Sequence, residues 1–188
     1  MTKNIMSVGV GGQGTLLASR IIGNAVISEG HDVKISEVHG MSQRGGSVVT
    51  YVKFGDAVYS PVIDRGEADI ILAFERLEAY RALPYLKKGG KMIVNDQRID
   101  PMPVITGAME YPDDILNKLS AKADVTPVDA LALAKEAGNT KAVNVVLIGV
   151  MAKNTDIDYA VWEKVLRETV PEKFLEVNLK AFKLGYDL

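Results

Sequence analysis

No cysteine occurs among the 188 residues. Its absence excludes disulfides, a thiol nucleophile and any iron–sulfur cluster held by this chain's own thiolates. Histidine is nearly as scarce, at two residues, which leaves too few ligands for a usual zinc site. Neither charge dominates: 22 basic against 24 acidic residues give a formal net charge of −2. That balance argues against a nucleic-acid binder relying on broad electrostatic attraction. No apolar run approaches the roughly 20 residues needed to span a bilayer. Met1-Thr2-Lys3-Asn4-Ile5 leads straight into a strand pattern instead of a leader peptide. A cytoplasmic chain with neither nucleic acid nor membrane as partner is expected. What is present is ordinary for a globular protein, with 47% hydrophobic and 24% charged residues. The length suits one domain with a substantial core over residues 1–188.

Ile5 to Val10 reads as a short buried strand running into a glycine cluster. From Gln13 to Glu29, Leu17, Ile21 and Ala25, flanked by Ala18 and Ile22, recur at helical spacing, and Gly30 ends the run. Val33 to Val38 is a second strand, so the chain opens as a βαβ unit with a parallel sheet. Ser47 to Phe54 alternates and, with Gly55-Asp56 and Ala57-Val58-Tyr59, signals a hairpin. Strands at 68–74, 91–95 and 125–128 follow, with a turn at Gly89-Gly90 and helices over 75–86 and 112–121. Asp100-Pro101-Met102-Pro103 reads as a loop, and helices over 140–153, 159–168 and 172–182 close the chain. The expected fold class is α/β: a single Rossmann-like domain with a mostly parallel sheet, a β-hairpin insertion and C-terminal helices.

Gly9, Gly11 and Gly14 fit G-x-G-x-x-G between a strand and a helix, with Gly12 and Gln13 inside the turn. Without Cβ atoms such a turn approaches a phosphate, and the helix N-terminus supplies free N–H groups. Glu37 stands near the end of the second strand, where dinucleotide-binding folds place an acid for ribose. A nicotinamide or flavin site is one reading. A turn that merely packs closely is the other. A second glycine-rich stretch, Glu37-Val38-His39-Gly40-Met41-Ser42-Gln43-Arg44-Gly45-Gly46-Ser47, joins two strands. Its guanidinium, imidazole, amide and hydroxyls suit an anionic or phosphorylated group.

Together these two stretches closely resemble the gamma-type domain of 2-oxoacid:ferredoxin oxidoreductases. Ala68-Asp-Ile-Ile-Leu-Ala-Phe-Glu75, Gly89-Gly-Lys-Met-Ile-Val-Asn95, Asn144-Val-Val-Leu-Ile-Gly149 and Asn178-Leu-Lys-Ala-Phe-Lys-Leu-Gly185 extend the likeness over essentially the whole chain. The His-Gly-Met-Ser-Gln form of the loop is most similar to the branch of small subunits that serve indolepyruvate enzymes. The resemblance implies a subunit that binds no cofactor itself and carries no redox centre. Thiamine diphosphate and [4Fe–4S] clusters would belong to a larger partner subunit, coenzyme A would be a co-substrate, and ferredoxin would accept the electrons. A free-standing NAD(P)-dependent dehydrogenase and a purely structural subunit remain as alternatives.

Candidate residues follow from these readings. Arg44 is the strongest, as an anion clamp or a bridge to the partner; a salt bridge within its own domain is the competing role. Ser42, Gln43 and Ser47 supply donors and acceptors, though any turn uses such residues. Gly45 and Gly46 permit tight backbone. His39 is a weak catalytic candidate, because a lone histidine at a strand end is more often structural. Gln13 and Asn95, with Gly9 to Gly14, follow strand ends and are expected to line one crevice with the 39–47 loop. Glu75 is an unassigned polar residue in the same crevice, and Asn144 and Asn178 are expected to fix packing.

Overall fold

A computed structural model describes residues 2–40 and 45–188. Its first strand, β1 (Lys3–Val10), is buried from Asn4 onward. Strands covered on both faces read as nearly continuous apolar sequence, which is why this one was legible. Helix α1 (Thr15–Ser28) returns over the sheet on Ala18, Ile21, Ile22 and Ala25, all excluded from solvent. β2 (Asp32–His39), β3 (Ser47–Gly55), β4 (Ala68–Ala73), β5 (Leu86–Asn95) and β6 (Asp124–Val128) complete one sheet in the order β2-β3-β1-β4-β5-β6.

β1, β4, β5 and β6 pair in parallel, whereas β3 runs antiparallel to both β1 and β2. The α/β class and mostly parallel sheet are as expected, with one topological difference. β1 and β2 point the same way but are not neighbours, because β3 fills the slot between them. Hairpin pairing also departs from the sequence reading. Ala57-Val58-Tyr59 forms no strand. Instead the Val58 N–H donates to the Asp32 carboxylate at 2.8 Å, and the Tyr59 side chain stands in solvent. The hairpin partner of β3 is β2, in a register running from Asp32↔Gly55 to His39↔Val48.

Helices α2 (Arg76–Ala82), α3 (Met102–Ile105) and α4 (Ile115–Ser120) follow β4 and β5. One face of the sheet, with Met6, Val8, Ile71 and Met92, packs under α2 and α4. The other face lies against α1, α5 (Ala130–Ala137), α6 (Val143–Ala152), α7 (Tyr159–Thr169) and α8 (Glu172–Tyr186). Every residue of α6 from Asn144 to Ala152 is buried, as its all-round apolar pattern requires. None of the helices among the described residues is long and apolar enough to cross a membrane.

Element boundaries differ where local geometry intervenes. α4 begins at Ile115, not at Pro112, because Asp114 takes a left-handed conformation with φ 56° just ahead of it. Gly89 and Gly90 lie inside β5, where the register jumps from Ala68↔Leu86 to Ile70↔Lys91. A Cβ on Gly90 would come within 2.9 Å of the Asp69 carbonyl oxygen, so this bulge demands glycine. α3 sits in a segment that reads as loop, and α5 goes unread although Asp129 caps its start, Ala, Leu, Lys and Glu fill it and left-handed Gly138 ends it.

Parallel pairing gathers the carboxyl ends of β1, β4 and β5 at one edge of the sheet. β2 ends and β3 begins at that same edge, since Gly9, Val48 and His39 share one rung of the ladder.

Candidate functional site at the carboxyl ends of the strands

At this edge β1 gives way to the turn Gly11–Gly14 and then to α1. Gly12 and Gly14 have φ of 103° and 82°, a region that residues with a Cβ seldom enter. Gly14 is also approached from outside: a Cβ there would lie 2.6 Å from the Asn144 amide nitrogen. Asn144 donates to the Gly14 carbonyl at 3.4 Å and accepts from the Val145 N–H at 3.0 Å, so it has the packing role expected of it. Asn178, by contrast, is half-buried and donates to the Phe174 carbonyl one turn back in α8.

A crevice of about 400 Å³ opens beside the turn, lined by Gly11, Gly12, Gly14, Glu37, His39 and Val48. Glu37 does not present a free carboxylate to it. Its Oε2 accepts from the Thr50 hydroxyl at 3.2 Å and lies 3.5 Å from that of Thr15. Interposed β3 moves Glu37 one strand further from the glycine turn than a dinucleotide site places its acid, a shift of about 4.8 Å. His39 is exposed at the rim, with Nδ1 3.1 Å from the Gly40 carbonyl.

Gln13 and Asn95 turn away from that crevice. Gln13 Oε1 accepts from the Val10 N–H at 2.7 Å, and its Nε2 donates to the Phe74 carbonyl at 2.9 Å. Asn95, which unlike half-buried Gln13 is fully buried, donates to the same carbonyl at 3.1 Å. Both amides reach Gln97 Oε1, at 3.3 and 3.1 Å. Three carboxamides thus cross-link the ends of β1, β4 and β5. Their hydrogen bonds satisfy one another and the Phe74 carbonyl, a fastening for the edge of the sheet.

The second glycine stretch closes on the first. The Gly11 N–H donates to the Gly46 carbonyl at 2.9 Å, extending the β1–β3 ladder one step beyond Val10↔Ser47. Ser47 Oγ donates to Glu78 Oε2 at 2.5 Å, and Arg81 Nη1 reaches Glu78 Oε1 at 2.6 Å. Glu75, at 1% exposure, caps α2 through the Glu78 N–H at 2.9 Å. Its Oε1 accepts from Tyr111 at 2.5 Å and from the Ile99 N–H at 3.2 Å. Burial, then the Glu75 hydrogen bond, pushes the Tyr111 hydroxyl above its ordinary range, so it is a neutral donor. Arg98 stacks over that ring at 4.3 Å.

The sequence candidates therefore divide. Gly11, Gly12, Gly14 and His39 face the crevice, while Gly9 passes so close to Gln13 and Phe74 that it serves packing. Gln13 and Asn95 clamp strand ends, and Gly45, Gly46 and Ser47 fasten the loop. Ser42, Gln43 and Arg44 lie outside the described residues. Sequence reasoning missed Gln97, Glu78 and Tyr111. Glu75 and Glu78, at the spacing of a helix-start capping pair, were a readable signal for α2; Gln97 and Tyr111 had none. Among the described residues no group of three or more histidines and carboxylates is placed to hold a metal. A larger groove of about 680 Å³ lies at the amino ends of the strands. Three lysines at its wall are paired, Lys3 with Asp156, Lys87 with Asp69 and Lys91 with Asp124. Open α/β sheets bind ligands at the opposite end, which favours the smaller crevice.

A family model described as pyruvate ferredoxin/flavodoxin oxidoreductase matches residues 4–188. The indolepyruvate oxidoreductase subunit IorB of Thermococcus kodakarensis is 43% identical over 188 residues, covering 97% of this chain and 93% of that protein. The subunit of the same name from Pyrococcus horikoshii is 44% identical with the same coverage. Among solved structures, the gamma subunit of a keto/oxoacid ferredoxin oxidoreductase from Geobacter sulfurreducens superimposes with a TM-score of 0.73. It is 26% identical, with 98% of this chain and 96% of that one covered.

Proposed function

The chain belongs to the pyruvate ferredoxin/flavodoxin oxidoreductase family, and from that premise we propose that it is the small subunit of an indolepyruvate-type, aryl 2-oxoacid:ferredoxin oxidoreductase. The complex oxidatively decarboxylates the 2-oxoacid, releases carbon dioxide, passes the acyl group to coenzyme A and sends the electrons to ferredoxin. The observation that carries this reading is similarity along nearly the full length to indolepyruvate oxidoreductase subunits.

The donor set of this chain does not suit the redox groups. Without cysteine it offers no thiolate for an iron–sulfur cluster. Thiamine diphosphate and the [4Fe–4S] clusters would accordingly be held by a larger partner subunit. The share given to this chain, acting as one cytoplasmic domain, is to complete the active site or the coenzyme A entry. It does so with the edge formed by Gly11–Gly14, His39 and residues 45–47. Arg44 is the proposed clamp for a carboxylate or phosphate, with Ser42 and Gln43 beside it.

Co-expression with the large subunit tests the proposal. The purified complex is expected to reduce ferredoxin only when an aryl 2-oxoacid and coenzyme A are both supplied, and each subunit alone is expected to be inactive. Turnover by this chain without a partner, or full activity of the large subunit without this chain, would refute it.

A further inference from the structure

We propose that Glu78 is a positioning residue that holds residues 45–47 against the glycine turn at the edge of the site, acting through Ser47; this rests on the functional reading above. α2 carries two deeply buried acids one turn apart, Glu75 at 1% and Glu78 at 5% exposure. Glu75 is accounted for as the cap of its own helix. Glu78 is not a cap, and it lies between Leu77 and Ala79, where an apolar side chain would pack at no desolvation cost.

What the carboxylate does there is reach across to another element. Its Oε2 accepts from Ser47 Oγ at 2.5 Å, while Arg81, half-exposed, neutralises its Oε1 at 2.6 Å. Ser47 is the first residue of β3 and the exit of the loop. On its other side the loop is held by the Gly11 N–H on the Gly46 carbonyl. Residues 45–47 are thus pinned between the glycine turn and α2. The Ser47 hydroxyl, engaged in this contact, directs the loop and does not bind the ligand. Through the Glu78 N–H on Glu75, and Glu75 on Tyr111, the same short helix also holds the segment after β5. α2 therefore sets both walls of the site.

The test uses the assembled complex with Ser47→Ala, Ser47→Thr, Glu78→Gln and the double variant Ser47→Ala/Glu78→Gln. Loss of a hydrogen bond to a charged group predicts KM for the 2-oxoacid or coenzyme A raised about tenfold or more by Ser47→Ala, with kcat changed less than about twofold. Ser47→Thr, which keeps the hydroxyl, should return KM to near the parent value. The double variant should be no worse than the worse single one, because both substitutions act on the same contact. Amide exchange at residues 45–47 should quicken in Ser47→Ala and not in Ser47→Thr. Kinetic constants within about twofold of the parent in Ser47→Ala, or equal impairment by Ser47→Thr, would overturn the proposal. Should Glu78→Gln fail to assemble, the Ser47 pair still decides. If the parent complex turns over no 2-oxoacid, the functional reading falls. Exchange at 45–47 then judges the positioning role alone, and unchanged protection in Ser47→Ala refutes it.

Discussion

Gly11 and Gly46 are joined backbone to backbone, the N–H of one donating to the carbonyl of the other at 2.9 Å. Each belongs to one of the two glycine stretches that stand out in the sequence. The contact converts two separate loops into a single rim at the carboxyl end of the sheet. It forms because β3 lies next to β1, so the ladder that pairs Val10 with Ser47 runs on into the turns.

Gly14 meets two constraints at once, a φ of 82° and the Asn144 amide 2.6 Å from where a Cβ would stand. Gly14→Ala is therefore expected to cost about 1–3 kcal/mol, from left-handed backbone strain and displacement of Asn144. Thermal unfolding should show a Tm several degrees lower. A Tm within about one degree of the parent would contradict this, since each kcal/mol is worth about 2–4 °C at this chain length.

Gly149 and Gly185 let α6 and α8 touch through their backbones. A Cβ on Gly149 would fall 2.2 Å from the Phe182 carbonyl oxygen, and one on Gly185 2.0 Å from that of Val146. Backbone cannot rotate aside as a side chain can. Gly185→Ala should thus force the helices apart at a cost of about 1–3 kcal/mol or more. Denaturant unfolding would check it, with a lowered midpoint at unchanged m-value as the expected result. An unchanged midpoint would mean that the crossing is looser than described.

Tyr111 tests the buried acid on which α2 starts. Removing its hydroxyl in Tyr111→Phe leaves Glu75 one donor short and should destabilise the chain by about 1.5–3 kcal/mol near neutral pH. The sign with pH follows from the raised titration of the hydroxyl, due to burial first and Glu75 second. The parent's advantage is fully present below about pH 10, the ordinary tyrosine value, and is lost as pH rises through the raised value. Stability measured for both proteins from neutral to strongly alkaline pH should therefore converge. A gap that stays constant throughout would assign the effect to packing alone.

Arg44 is the prediction that rests on sequence. If its guanidinium clamps an anionic substrate or coenzyme A, Arg44→Ala should lower kcat/KM of the complex by about 10- to 150-fold. Arg44→Lys should recover only part of that, since an ammonium cannot reproduce the planar fork. Assembly and Tm should hardly change. Activity within about twofold of the parent would dismiss the clamp, and a complex that falls apart would make Arg44 an interface residue and favour the purely structural role.

Part of the candidate site was legible because glycine and strand-end polarity are local signals. The turn at 11–14 and the crevice residue His39 were read from them directly. Gln13 and Asn95 were read as polar groups at strand ends, but not as partners of one carbonyl, Phe74, supplied by a third strand. Glu37 misled for a related reason. Its place at the end of the second strand was right, yet a dinucleotide site also depends on which strand lies beside β1, and pairing order leaves no mark in a single strand.

By itself the sequence determined the elements whose patterns are local: the buried run of β1, the helical period of α1, the all-apolar α6 and the two glycine stretches. Missing cysteine likewise settled that no cluster could be held by this chain's thiolates. Tertiary structure alone decided that β3 enters between β1 and β2, that Ser47 answers to Glu78, and that Gly149 and Gly185 each meet the backbone of the opposite helix. These are contacts between residues far apart in the chain. Hydrophobic period and turn chemistry specify which face of an element is buried, whereas the neighbour it is buried against is chosen by the packing of the whole core.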